Sequence, residues 1–119
     1  MDIEKIQKYC LSKKGSTESF PFDETTAVYK VMSKMFCLLN LDIPHSINVK
    51  CDPAKAIELR EEYNQIKPGY HMNKVHWNTI ELQGKATDDE IYSWIDDSYN
   101  LIVAKLKKTE KEKLFNLKI

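Results

Sequence analysis

The chain has 119 residues, of which 42% are hydrophobic and 30% charged, and its 18 basic side chains balance its 18 acidic ones. This length and composition predict a single globular domain over residues 1–119 and exclude disordered and collagen-like classes. A net charge of zero excludes strong attraction of the whole molecule to nucleic acid or to anionic membranes, so any such binding needs a local patch.

The first half of the chain predicts one helix followed by three strands. Asp2 caps a helix that extends to about Ser12, and a loop covers residues 16–24. Three β-branched and aromatic runs then follow between Thr26 and Cys51, namely TAVYKVM, MFCLLNL and INVKC. Runs of this kind, separated by short polar connections, predict a three-stranded antiparallel meander.

The next segment predicts a helix and two short strands. The Asp52-Pro53 pair starts a helix that ends near Asn64, because the carboxylate accepts backbone N–H groups and proline fits the first turn. After a turn at Pro68-Gly69, the runs YHM and WNTIEL predict two further strands.

The remainder of the chain predicts one long helix. Thr87 and Glu90 form a capping box that opens it, and a lysine-rich tail over residues 106–119 frays or continues as a short helix. The order α-β-β-β-α-β-β-α predicts an α+β fold, a two-layer sandwich with an antiparallel sheet and helices on one face. Strand alternation places Lys50 and Trp77 on the other, open face of the sheet.

The sequence lacks the motifs that are typical of several functional classes. Three isolated glycines build no phosphate-binding loop, so no nucleotide cofactor is expected, and the three histidines show no metal-ligand spacing. The odd set Cys10, Cys37 and Cys51 lies in apolar surroundings, which predicts that at least two are buried thiols. No nucleophile signature is present, so we expect a protein that is not an enzyme. No apolar run is long enough to cross a bilayer and no signal-peptide pattern is present, so a cytoplasmic protein is expected.

Residues 67–85 carry three lysines against one glutamate and interleave Tyr70 and Trp77 with them. Lysines neutralise phosphates and an aromatic ring stacks on an unpaired base, so the segment predicts a nucleic-acid surface. The alternative is that both rings pack against the edge of the core and the lysines only keep the loop soluble. A second basic stretch, residues 105–118, fits a solvated helix face. Because Arg60 is the single arginine, duplex binding is expected to be phosphate-directed and weakly sequence-specific.

The run PGYHMNKVHWNT, residues 68–79, resembles the signature of the MmcQ/YjbR family of small bacterial proteins. SINVKCDP at residues 46–53 and DDSYNLIVAKL at residues 96–106 are also similar to that family. The resemblance implies a CyaY-like fold, called a "double wing" and similar to type III secretion chaperones, and it implies DNA binding. Together with the basic pattern it indicates these candidate nucleic-acid-binding residues: Lys50, Lys67, Tyr70, His71, Asn73, Lys74, His76, Trp77, Asn78 and Lys85.

The alternative function is a protein-interaction module that binds no nucleic acid. A chaperone-like fold with an open sheet face, or its last helix, can receive a peptide or a second copy of the chain. The discriminating feature is the surroundings of Trp77. An uncharged exposed apolar patch there favours a protein partner, and a ring of lysines favours nucleic acid.

Overall fold

A computed structural model describes residues 1–70 and 72–117, and within them the chain forms four helices and six strands. The helices are α1 (Ile3–Leu11), α2 (Pro53–Glu62), α3 (Asp88–Ala104) and α4 (Lys108–Phe115). The strands are β1 (Ser16–Ser19), β2 (Thr26–Val31), β3 (Lys34–Asn40), β4 (Ser46–Lys50), β5 (Ile66–Pro68) and β6 (Trp77–Glu81). They form one open antiparallel sheet in the order β1-β2-β3-β4-β6-β5.

The three predicted helix starts are confirmed by their caps. The Asp2 carboxylate accepts a first-turn backbone N–H at 2.9 Å, and the Asp52 carboxylate accepts one at 3.2 Å. Thr87 and Glu90 form both hydrogen bonds of the predicted capping box, at 3.1 and 2.9 Å. These side chains satisfy N–H groups that have no acceptor inside the helix, so each start is encoded locally.

The loop predicted for residues 16–24 is wrong in its first part, because β1 forms there and pairs with β2 at one edge of the sheet. Its sequence, STES, is polar at every position, so alternation between apolar and polar residues gave no signal. The predicted meander β2-β3-β4 is confirmed and gains β1 as a further antiparallel strand. The tail forms α4, so the described part of the chain contains one strand and one helix more than the predicted order.

The strand predicted at YHM is also misplaced. The first strand of this region is β5, which ends at Pro68, and Tyr70 and Met72 lie beyond it in the loop; His71 lies outside the described residues. The register pairs Pro68 with Asn78, and proline, which has no N–H group, ends the ladder there.

All four helices pack on one face of the sheet, as predicted, and no helix among the described residues is long and apolar enough to cross a bilayer. Cys10, Cys37 and Cys51 are buried in this core as free thiols, which confirms the prediction made from their surroundings. The largest fully buried side chains of this layer are Ile6, Tyr29, Phe36, Leu39, Ile47, Ile66, Ile80, Ile91 and Ile95.

A smaller apolar cluster lies on the opposite face of the sheet. It consists of Val28, Leu38 and Trp77, with Met35 and Met72 packed against them. Alternation along β6 predicted this division. Trp77 and Ile80 are three positions apart in the strand, so their side chains point to opposite faces, and Ile80 points into the helical layer. The face away from the helices is therefore partly covered by its own side chains.

Helix α3 is joined to the sheet by a buried hydroxyl group. Phe36 has no partner in the register of β2 with β3, which shifts between Tyr29 and Lys30. The hydroxyl of Ser98, fully buried, donates to the carbonyl of Phe36 at 2.6 Å and accepts the backbone N–H of Lys50 at 2.8 Å. One serine thus satisfies a carbonyl of β3 and an N–H of β4 at the point where the ladder between them ends.

Candidate nucleic-acid interface

The loop of residues 69–76, which joins β5 to β6, carries half of the predicted site residues. The Gly69 N–H donates to the carbonyl of Trp77 at 2.8 Å and closes the loop at its base. The Asn73 side chain accepts the N–H of Val75 at 2.9 Å, and its carbonyl accepts the N–H of Trp77 at 2.9 Å. Asn73 therefore stabilises a backbone turn that begins at its own position, a structural role that asparagine side chains commonly have in loops.

Arg60, from α2, holds this loop against the helical layer. Its Nε donates to the side-chain oxygen of Asn78 at 2.7 Å, and its Nη2 donates to the carbonyls of Lys74 and Trp77. Asn78 is only 1% exposed and also donates to the carbonyl of Ala56 at 3.5 Å. Asn78 thus fixes the loop through Arg60 and presents no surface for a ligand.

The loop is closely packed at Gly69. A Cβ atom added there would lie 2.8 Å from the Cβ of Trp77 and 3.0 Å from that of Met72. The Nζ of Lys74 donates to the carbonyl of Gly69 at 3.2 Å, which adds a link across the loop. Only a residue without a side chain fits this close approach of two backbone segments.

The two aromatic residues of the predicted site have opposite environments. Trp77 is 9% exposed and packs on Val28 and Leu38 in the smaller cluster of the open face, rather than against the edge of the main core. Tyr70 is 67% exposed, and its backbone N–H donates to the hydroxyl of Thr79 at 2.8 Å. Of these two rings, Tyr70 is by far the more exposed.

Three lysines lie on the loop, on the adjoining strand β5 and on the open face of the sheet. Lys67 lies on β5 opposite Thr79, and Lys74 is exposed on the loop. Lys30, on β2, lies opposite Met35, which packs against Trp77's cluster on the open face. The sequence did not predict Lys30 as a site residue, because it is distant from residues 67–85 in the chain. The acid that strand alternation places on this face is Glu81, at the far end of β6.

Other predicted residues lie apart from this group. The Nζ of Lys85 lies 5.0 Å from the ring centre of Tyr63, whose hydroxyl donates to Glu90; that hydrogen bond raises the pKa of Tyr63 to about 12. His76 is half-buried and its carbonyl accepts the N–H of Cys51 at 2.7 Å. The prediction for His71 falls outside the described residues.

Lys50 lies at the end of β4, opposite Trp77, where α3 passes the sheet. Burial lowers the pKa of its ammonium group, and the neighbouring Lys105 ammonium lowers it further. Lys50 is therefore at the margin of the open face rather than at its centre. Within residues 1–70 and 72–117, no group of three His, Cys, Asp or Glu side chains is placed to hold a metal ion.

Arg60 was not among the predicted site residues, although it determines the position of the loop. The available signal was its type, since it is the single arginine of the chain and follows the buried Ala56 by one helical turn. Arginine, with its fork of donors, is the residue best suited to bind several carbonyl groups at once.

The fold and the site define a small α+β protein in which an open antiparallel sheet carries an arginine-anchored hairpin loop. The family model YjbR matches residues 11–101, and the chain belongs to the YjbR family. The resemblance seen in residues 68–79 is thereby confirmed as to family. The similarity to CyaY-like folds that the resemblance implied stays a prediction.

The relatives are similar to this chain over most of their own length. An uncharacterised YjbR protein of Escherichia coli K12 is 30% identical over 98% of this chain and 100% of its own. The uncharacterised YbdF protein of Escherichia coli O157:H7 is 35% identical over 80% of this chain and 79% of its own. A crystal structure of a Deinococcus radiodurans protein with the DUF419 domain has a TM-score of 0.88 and 34% identity, covering 95% of this chain and 87% of that one.

Proposed function

We propose that the chain is a nucleic-acid-binding protein that contacts phosphates through lysines of the open sheet face and an unpaired base through Tyr70. The observation that carries the proposal is that Lys74 and the exposed Tyr70 lie on one ordered loop, with Lys67 on the adjoining strand β5 and Lys30 on the same face of the sheet. Lysines neutralise phosphates without reading sequence, and a tyrosine ring stacks on any base. Binding is therefore phosphate-directed and weakly sequence-specific, and it needs no catalytic group.

The surroundings of Trp77 support nucleic acid over a peptide on this face. Trp77 is nearly buried and adds little to the exposed apolar area, while Tyr70 and Val75 on the adjoining loop are exposed and have Lys67 and Lys74 close to them in the chain. A peptide groove needs an exposed apolar surface, whereas a polyanion needs only cations. The relatives named above are bacterial, and nucleic acid in bacteria lies in the cytoplasm, which is the compartment that the proposal requires.

Replacing Lys67 with glutamate weakens oligonucleotide binding about tenfold at low salt, because one phosphate contact is lost and a repulsion is introduced.

Tyr70→Ala costs about 1–3 kcal/mol of affinity for a single strand and less for a duplex, since only unpaired bases stack on a side chain. Fluorescence anisotropy with labelled single- and double-stranded oligonucleotides measures both effects. The matched control is Lys8→Glu, an exposed lysine of α1 in the helical layer, which leaves the affinity nearly unchanged. Equal losses for Lys8→Glu and Lys67→Glu contradict the proposed surface.

Self-association through β1 is a second candidate function, favoured by one specific feature. β1 forms an edge of the sheet, and the two residues Phe20 and Phe22 that follow it are 45% and 64% exposed. Edge strands pair readily with another chain, and exposed aromatic rings strengthen such contacts. Light scattering is then expected to show a mass that rises with concentration in the wild type and stays monomeric in Phe22→Asp. A monomer at every concentration in both proteins contradicts this candidate.

A further inference from the structure

The C-terminal end of β1 is acidic and carries exposed aromatic rings. Residues 15–29, which contain β1 and its connection to β2, include three acidic residues and no basic one. The exposed side chains of Phe20 and Phe22 line an open hollow of about 500 Å³ together with Asp23 and Glu24. This end of the strand therefore offers apolar area beside negative charge.

The N-terminal end of β1 lies against α4 and is basic and apolar. The Nζ of Lys14 donates to the carbonyl of Phe115 at 2.6 Å and lies 5.4 Å from the centre of its ring. A Cβ atom added at Gly15 would lie 3.2 Å from Cδ1 of Leu117, so the end of α4 packs on the start of β1. Phe115 and Leu117 are 81% and 45% exposed, and Leu117 lines a hollow of about 650 Å³ with the exposed Lys113. Lys14 and the three lysines of α4 outnumber the two glutamates of that helix.

Antiparallel pairing of β1 with β1 of a second copy brings these unlike ends together. β1 is at an edge of the sheet, so every second residue directs its backbone N–H and C=O groups away from β2. In a two-fold arrangement the start of each strand lies beside the end of the other, and each contact is made twice. The acidic, aromatic end then meets the basic, apolar end, whereas parallel pairing places like charges together.

The side chains of β1 favour one register of this pairing. Glu18 lies opposite Tyr29 of the main core, so the even-numbered positions of β1 face the helical layer. In a continuous sheet, opposite residues point to the same face, so even-numbered positions pair with each other. A two-fold axis at Glu18 would oppose two glutamates, which is destabilising, whereas an axis at Thr17 opposes two threonines and brings Lys14 next to Phe20 of the second copy.

We propose that the chain forms a two-fold dimer in which two β1 strands pair antiparallel about Thr17, with residues 20–24 of each copy against α4 of the other. The inference rests on self-association through β1, the second candidate function, and adds the contacting surface, the direction of pairing and the register. The two sheets then form one. Both β5 strands, which adjoin the proposed nucleic-acid surface, stay at its outer edges.

Charge reversal tests the direction of pairing. Glu24→Lys and Lys113→Glu each create two like-charge contacts in a homodimer, so each is expected to raise the dissociation constant about tenfold or more at low salt. An equimolar mixture of the two variants is expected to restore the wild-type dissociation constant within about threefold, because opposite charges meet at both contacts of the mixed dimer. A misfolded variant cannot be restored by mixing. The matched control is Glu61→Lys, an exposed change on α2 near the other edge of the sheet, which leaves the dissociation constant unchanged.

Cysteine cross-linking tests the register. Thr17→Cys is expected to form a covalent dimer under mild oxidation, because the two introduced thiols face each other at the axis. Ser19→Cys is the matched control, since the two positions lie about 13 Å apart at roughly 3.3 Å per residue. Cross-linking of Ser19→Cys as readily as of Thr17→Cys overturns the register.

The outcomes separate this dimer from the functions proposed above. If the wild type associates and Phe22→Asp is monomeric, but mixing the two charge variants restores nothing, the antiparallel arrangement is overturned and self-association through β1 stands. Stronger association of Glu24→Lys with the wild type than of either protein with itself places like ends together and also overturns it. A wild type that stays monomeric at every concentration contradicts both the dimer and self-association, and leaves oligonucleotide binding to its own measurements. Sedimentation velocity over a concentration series measures each of these dissociation constants.

Discussion

Substituting Arg60 with alanine is expected to lower the free energy of unfolding by about 3 kcal/mol and to loosen the loop of residues 69–76. The side chain donates to Asn78 and to two carbonyls, and hydrogen bonds from a charged donor contribute about 1.5–3 kcal/mol each. Removing it leaves the oxygen of Asn78 buried without its donor, which adds a desolvation penalty. Chemical denaturation measures the first effect, and amide hydrogen exchange of the loop measures the second.

The control for this substitution is Lys55→Ala on the same helix. Lys55 also carries a positive charge and binds a carboxylate, that of Asp97 at 2.7 Å, but both side chains are largely exposed. Exposed ion pairs contribute about 0–1 kcal/mol, so a small change is expected there, with no change in loop exchange. If Arg60→Ala costs no more than Lys55→Ala, Arg60 does not hold the loop in place.

Ser98→Ala is expected to destabilise the protein by about 2–4 kcal/mol. The substitution leaves the carbonyl of Phe36 and the N–H of Lys50 unsatisfied in the core, and each buried orphan group costs about 1–3 kcal/mol. The substitution removes only the hydroxyl group and keeps the Cβ atom, so the loss of the two hydrogen bonds accounts for most of the effect. The midpoint of denaturation by urea measures it, with the slope expected to stay the same.

Ser93→Ala, five residues earlier in α3, is the matched comparison. Its hydroxyl also donates to a backbone carbonyl, that of Glu90 at 2.6 Å, but the residue is exposed. Alanine is the better helix former and water replaces the lost bond, so the change stays within about 0.5 kcal/mol in either direction. Equal stabilities of the two variants contradict the role assigned to Ser98.

The parts of the fold that could be predicted are those encoded by neighbouring residues. Asp2, Asp52 and the Thr87–Glu90 box cap their own first turns, so the helix starts follow from short segments. β1 was missed because its polar residues become a strand only through pairing with β2. The strand predicted at YHM was placed too late, because β5 is defined by its pairing with β6, in which Pro68 lies opposite Asn78.

The candidate site was predictable only in part, since its geometry depends on contacts between distant segments. Alternation placed Trp77 on the face away from the helices, but its burial there depends on Val28 and Leu38 of other strands. Arg60 binds the loop and Ser98 joins α3 to the sheet, and the residues next to them in the sequence do not indicate either role. Polar residues with buried partners far along the chain leave no periodic signal in a single sequence.

The salt dependence of wild-type binding tests the proposed function most directly. The phosphate contacts assigned to Lys30, Lys67 and Lys74 predict a slope of log K against log[salt] of about −3, at roughly −0.9 per neutralised phosphate. Anisotropy of a labelled single-stranded oligonucleotide, titrated with protein at increasing salt, gives this slope. Saturable binding with that slope is the predicted result. Absence of saturable binding at low salt, or an affinity that salt leaves unchanged, would contradict nucleic-acid binding by this surface.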